Sequence, residues 1–116
     1  MHLTTTPWAG SFFVPNMLGV FMAYYMIIDA EILDHDKYAQ YVAAVTSIVE
    51  RFGGRYLVRG GEVELFAGDY DGNRQVVIEF ESKHQARAFW DSSEYAATKP
   101  LREGASRGSA LGVEGV

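Results

Sequence analysis

The sequence predicts an α+β domain with the order βαββαβ, a four-stranded antiparallel sheet carrying two helices on one face. Three observations lead there. Residues 24–32 and 75–81 alternate with a period of two, as half-buried strands do. Two stretches after them place apolar residues three and four apart, as amphipathic helices do. Glycine-rich punctuation at Gly53-Gly54, Gly60-Gly61 and Asp71-Gly72 separates the periodic segments.

The first strand reads Tyr24, Met26, Ile28, Ala30 and Ile32 on one face, with Tyr25, Ile27, Asp29 and Glu31 on the other. Asp34 is placed to cap a helix whose stripe is Tyr38, Tyr41, Val42, Val45, Ile48, Val49 and Phe52, ended by Gly53-Gly54. In the second strand Tyr56 and Val58 alternate with Arg55, Leu57 and Arg59, and Val63 and Leu65 continue the alternation beyond Gly60-Gly61. A Gly-Gly hairpin or a one-residue bulge would each return Val63 to the face of Val58. The bulge in a continuous strand is preferred because it keeps four main strands. Asp69 to Arg74 forms the turn into the third strand, Gln75 to Glu81, with Val76, Ile78 and Phe80 on one face. Ser82-x-x-Gln85 has the form of a capping box. It opens a second helix carrying Ala86, Phe89 and Trp90, and a short helical turn near Glu94 and Tyr95 follows, limited by Pro100. Gly104 to Gly108 reads as a loop before a last strand with Leu111 and Val113.

Two helices cover one face of such a sheet. The opposite face is expected to carry Tyr25, Ile27, Leu57 and Val77 beside Asp29, Glu31, Arg55, Arg59, Glu79 and Glu114. That face is too apolar for water alone and too charged for a simple core. A second sheet from an identical subunit would bury its apolar part and pair its charges. Composition agrees, because 48% hydrophobic residues in a chain of 116 is more than one small core requires.

A net charge of −5 with dispersed Lys and Arg argues against a nucleic-acid partner. The chain has no cysteine, which removes thiolate nucleophiles and zinc-thiolate sites and suits a cytoplasmic location. From Leu3 through Ile28 no residue is charged, yet Pro7, Gly10, Pro15, Asn16 and Gly19 argue against a membrane span. The lack of early Lys or Arg argues against a signal peptide. Residues 1–21 are expected to be an N-terminal extension, consistent with a start codon assigned too early, before a domain at 22–116.

The run Arg55-Tyr56-Leu57-Val58-Arg59-Gly60-Gly61-Glu62, with Ala23 to Ile32 before it and Ser92-Ser93-Glu94-Tyr95 after it, resembles the small bacterial domain-of-unknown-function family 1330. The resemblance implies a ferredoxin-like fold and a dimeric α+β barrel, formed by face-to-face union of two sheets. Relatives in the wider superfamily include cofactor-free monooxygenases, haem-degrading enzymes, chlorite dismutases and muconolactone isomerases, which use the cleft between sheet and helices. A place for chemistry is implied, not a reaction.

The polar residues to examine in that cleft are Tyr38, Tyr41, Arg59, Glu79, Trp90, Tyr95 and Arg102. The tyrosines and Trp90 serve either as amphipathic core or as a ligand wall. Arg59 opposite Glu79 is an internal ion pair or an anion clamp. Arg102, in Tyr95-x-x-x-x-Pro100-x-Arg102, meets a substrate carboxylate or caps a helix end. His84 is expected to be a solvated surface residue, the alternative being a haem ligand. No metal or cofactor is expected, and no hydrolase, nucleotide or zincin motif is present. Two functions follow: binding and transformation of a small organic acid or aromatic metabolite by Tyr or Glu proton carriers and Arg, or a non-catalytic dimeric ligand sensor or stress-associated binding module.

Overall fold

The computed structural model describes residues 22–116, so the expected extension at 1–21 lies outside the described residues. The elements are β1 (Tyr24–Ile32), α1 (His35–Arg51), β2 (Arg55–Arg59), β3 (Arg74–Phe80), α2 (Lys83–Trp90), α3 (Ser93–Ala96), α4 (Lys99–Arg102) and β4 (Ser106–Glu114). The four strands form one antiparallel sheet in the order β2-β3-β1-β4. The expected βαββαβ order therefore holds, with two one-turn helices added before β4.

Local chemistry fixes the helix ends. Asp34 accepts from the Lys37 amide at 3.0 Å to start α1. At its other end Gly53, at φ +82, donates to the Glu50 carbonyl and Gly54 donates to that of Val49. These paired bonds are a Schellman stop, which needs the left-handed residue that glycine supplies. Ser82 caps α2 through the Gln85 amide at 3.1 Å, but the Gln85 side chain donates to the Phe52 carbonyl at 2.7 Å instead of closing the box. Gln85 thus ties the start of α2 to the end of α1. Pro100 lies in the first turn of α4, where its missing N–H costs nothing.

The core fills the space between the helices and the even-numbered face of β1 and β3. Met26, Val45, Ile48, Val49, Val76, Ile78, Phe80, Phe89 and Tyr95 are all buried there. Phe80 and Phe89 stack with ring centroids 5.7 Å apart.

Several expectations are corrected. β2 ends at Arg59, and Val63 and Leu65 are exposed outside the sheet, so neither a continuous strand nor a Gly60-Gly61 hairpin forms. A bulge does exist, but between Tyr56 and Val58, where the pairing with β3 steps from Tyr56↔Ile78 to Val58↔Val77. Because strand side chains alternate, that step returns Arg59 to the face of Tyr56 and sets it opposite Val76. Arg59 therefore does not face Glu79. Glu114 pairs with Tyr24 and so lies on the helix side, not the open side. β4 begins at Ser106, inside the stretch expected to be a loop.

Gly54 marks the tightest point of the core. A Cβ there would fall 2.7 Å from Val49 Cγ1 and 2.9 Å from the Phe80 ring, both in the packed interior. Gly54→Ala is expected to destabilise the domain by about 1–3 kcal/mol through overpacking, read as a lower urea midpoint with unchanged slope.

Candidate ligand-binding cleft

A cavity of about 260 Å³ opens between the helices and the sheet. Its floor is Met26, Ile28 and Ala30 of β1, Val76 and Ile78 of β3, and the small residues Gly108 and Ala110 of β4. Those small residues leave room because the register sets Gly108 opposite Ala30 and Ala110 opposite Ile28, on the helix face. Its wall is aromatic. Tyr38 and Tyr41 of α1 lie 5.7 Å apart between ring centroids, and Tyr95 of α3 lies 5.1 Å from Trp90 of α2. The Tyr41 and Tyr95 hydroxyls meet at 3.0 Å and join the two pairs into a row.

Four arginines border this cavity, Arg59, Arg74, Arg102 and Arg107, and the last of them is paired with Glu31. Arg59 is exposed at the mouth, its guanidinium 4.7 Å from the Tyr56 ring centroid. Arg74 stands 5.6 Å from the Tyr38 ring and Arg102 5.9 Å from the Trp90 ring. Both are half-buried, and each has a buried Nε–H without an acceptor. Gly60 makes room for Arg74, since a Cβ there would collide with its guanidinium. The turn before β4 fixes Arg102. The Ala105 carbonyl accepts from the Leu33 and Asp34 amides, and the Ala105 amide donates to the Arg102 carbonyl at 2.9 Å.

The open face holds the other charges. Glu79 is buried beneath Arg55, whose guanidinium lies 3.0 Å away, and beside the Tyr25 hydroxyl at 3.4 Å. Glu31 pairs with Arg107 at 2.8 Å. Asp29 accepts from Asn73 at 2.7 Å and Gln75 at 2.9 Å, and these amides hold its carboxyl below the usual carboxylate range. The charges expected to pair across two subunits are thus met largely within one chain.

Of the residues singled out from sequence, the structure brings Tyr38, Tyr41, Arg59, Trp90, Tyr95 and Arg102 to the cavity and sends Glu79 to the opposite face. Tyr56 and Arg74 were missed as site residues. Arg74 had a readable signal, because it shares parity with Val76, Ile78 and Phe80, though it was assigned to a turn. His84 is exposed in the first turn of α2, away from the cavity. Among the described residues no group of three or more His, Cys, Asp or Glu could hold a metal ion, and no helix is long and apolar enough to cross a membrane.

The sequence profile of a domain of unknown function, DUF1330, matches residues 23–116. The chain belongs to the DUF1330 family. Solved structures agree on the fold. The methylated RPA0582 protein superposes with a TM-score of 0.69 at 14% identity, covering 99% of this chain and 95% of the other. RPA0582, a protein of unknown function from Rhodopseudomonas palustris, gives 0.67 at 16% identity, with 99% and 97% covered. A dimeric ferredoxin-like protein of unknown function from Thermobifida fusca gives 0.51 at 18% identity, with 80% and 89% covered. No curated protein matches the chain. The ferredoxin-like α+β architecture expected from the sequence is the one observed.

Burial shifts two of the cleft's tyrosines. Burial chiefly, and then the neighbouring Tyr95, push the Tyr41 hydroxyl well above the usual tyrosine range, against the smaller opposing pull of Arg102. Burial also raises Tyr56. A raised folded pKa contributes stability that is fully present below the unfolded value, near about 10, and is lost as pH rises through the folded pKa. Stability should therefore be insensitive to these groups from neutral pH to about 10 and fall above it, as followed by urea melts across pH. Tyr41→Phe leaves the Tyr95 hydroxyl buried without its partner and is expected to cost about 1–3 kcal/mol. Adding Tyr95→Phe should cost less than the sum of the two single changes.

Proposed function

We propose that the protein binds a small organic anion with an aromatic or apolar body in this cleft, and does so as a homodimer joined through the open sheet faces. One observation carries the binding reading: four arginines border an aromatic-walled cavity, and three of them, Arg59, Arg74 and Arg102, are in no ion pair among the described residues. Asp29 is the single acidic residue bordering the cavity among those described, and two side-chain amides already engage its carboxylate. Guanidinium forks suit carboxylates, and the rings supply the apolar contact that positions a ligand's body. The volume is that of a metabolite, just below the range of about 300–1,000 Å³ usual for drug-sized ligands.

Binding is favoured over transformation. With Glu79 on the far face, the cleft has no unengaged carboxylate among the described residues to act as general base, and Tyr41, raised by burial, stays protonated at neutral pH. Neutral tyrosine hydroxyls can still donate to a bound anion. The non-catalytic binding module is therefore the reading of the two that the geometry supports better.

Isothermal titration with benzoate and its neutral isostere benzamide tests the site. Benzoate should bind and benzamide should not, and Arg74→Gln combined with Arg102→Gln should weaken benzoate by roughly tenfold or more. Equal binding of both compounds would remove the anion reading.

The dimer reading rests on Leu57, Leu111 and Val113, which are 46%, 57% and 45% exposed on the open face. The dimeric Thermobifida fusca neighbour is consistent with it. Light scattering at micromolar concentration should give a dimer burying roughly 1,600 Å² or more. Leu111→Glu with Val113→Glu should give a folded monomer, because each new carboxylate would be buried unpaired at the interface.

A further inference from the structure

The three arginines outside ion pairs come from different elements. Arg59 and Arg74 belong to β2 and β3, at one flank of the sheet, whereas Arg102 precedes β4 at the other flank. Arg102 ends α4, which packs on α1, so it reaches the cavity from the helix layer while Arg74 reaches it from the sheet. On the helix side each of the two stands at a different ring. Arg74 stands over Tyr38 and Arg102 over Trp90, the two ends of the row Tyr38, Tyr41, Tyr95 and Trp90. Between the ends the floor is apolar and low: Ala30, Gly108 and Ala110.

Each end also carries its own unmet demand. The Arg74 and Arg102 Nε–H groups are both buried without an acceptor, and such groups are uncommon in a folded protein unless something else satisfies them. A single carboxylate seated at one end leaves the other unsatisfied. Phosphate, with its charge at one centre, has the same shortcoming.

From this arrangement we propose that the cleft selects a dicarboxylate: one carboxylate held by Arg74 with Arg59 at the mouth, the other by Arg102, and a flat apolar spacer lying along the tyrosine row. The inference rests on the anion-binding reading of the cleft and adds the number and spacing of the charges. Arg102 is a specificity residue under this reading, because it distinguishes a dicarboxylate from a monocarboxylate that Arg74 alone can hold.

Titration calorimetry with terephthalate, benzoate and phenylphosphate decides it. Terephthalate should bind the unaltered protein roughly tenfold or more tighter than benzoate, and tighter than phenylphosphate. Arg102→Gln should bring the affinity for terephthalate close to that for benzoate. Arg74→Gln should narrow the same gap from the other end. Equal affinity for terephthalate and benzoate would overturn the dicarboxylate inference and leave the anion site standing. Phenylphosphate as the tightest of the three would also overturn it, in favour of one focused site. If neither benzoate nor terephthalate binds, the anion reading itself fails. Should a variant not fold, the comparison of the three compounds on the unaltered protein still decides the matter.

Discussion

The pleat of the sheet decides where every charge of this protein goes. Strand side chains alternate with a period of two, and β1, paired on both sides, transmits that alternation to β3 and β4. Even positions of β1 and β3 face the helices, and odd positions face away. Glu79 and Asp29 are odd, so no strand carboxylate of β1 or β3 points at the aromatic wall. Arg74 is even, so it does. The bulge between Tyr56 and Val58 is the single interruption, and it carries Arg59 to the cleft side while Arg55 stays with Glu79. A bulge adds one residue to a strand; here that residue separates an arginine that neutralises a buried glutamate from one that faces the cleft.

The result is a segregation of charge within an acidic protein. The chain carries −5 overall, yet the charges bordering its cavity are mainly guanidiniums. Arg74 and Arg102 are half-buried, and a guanidinium is more weakly hydrated than an ammonium, so it loses less on leaving water. Stacking against Tyr38 and Trp90 offsets part of the lost hydration. A lysine at either place would offer a point charge without the planar fork, so the residue type fits a half-buried cationic site.

Much of this was legible in the sequence, and the failures have identifiable causes. β1, α1, β3 and α2 were readable because each has an uninterrupted period and a recognisable cap: Asp34, Gly53-Gly54, Ser82. The placement of Tyr38, Tyr41, Trp90, Tyr95 and Arg102 followed from those elements. β2 was misread because a bulge leaves no mark on a short strand whose two faces are both mixed, and Gly60-Gly61 attracted the irregularity that lies three residues earlier. Val63 and Leu65 keep a strand pattern without joining the sheet, which shows that alternation alone does not secure a pairing partner. Arg74 was hidden by its position at a strand's first residue, where turn composition outweighed its parity.

The open face completes the argument about what the cleft can be. Its ion pairs, Arg55 with Glu79 and Arg107 with Glu31, are closed within the chain, so an apposed second sheet would meet a surface whose charges are already neutralised. What remains unmatched there is apolar: Leu57, Leu111 and Val113. What remains unmatched in the cleft is cationic. The two faces of one sheet therefore make different demands, hydrophobic burial on one side and anion pairing on the other. A second copy of the chain answers the first demand and leaves the second untouched, since the cleft lies behind the sheet, under the helices. Under the proposed reading the arginines are met by something small enough to enter from solvent, and the cleft stays available to it when the open face is covered.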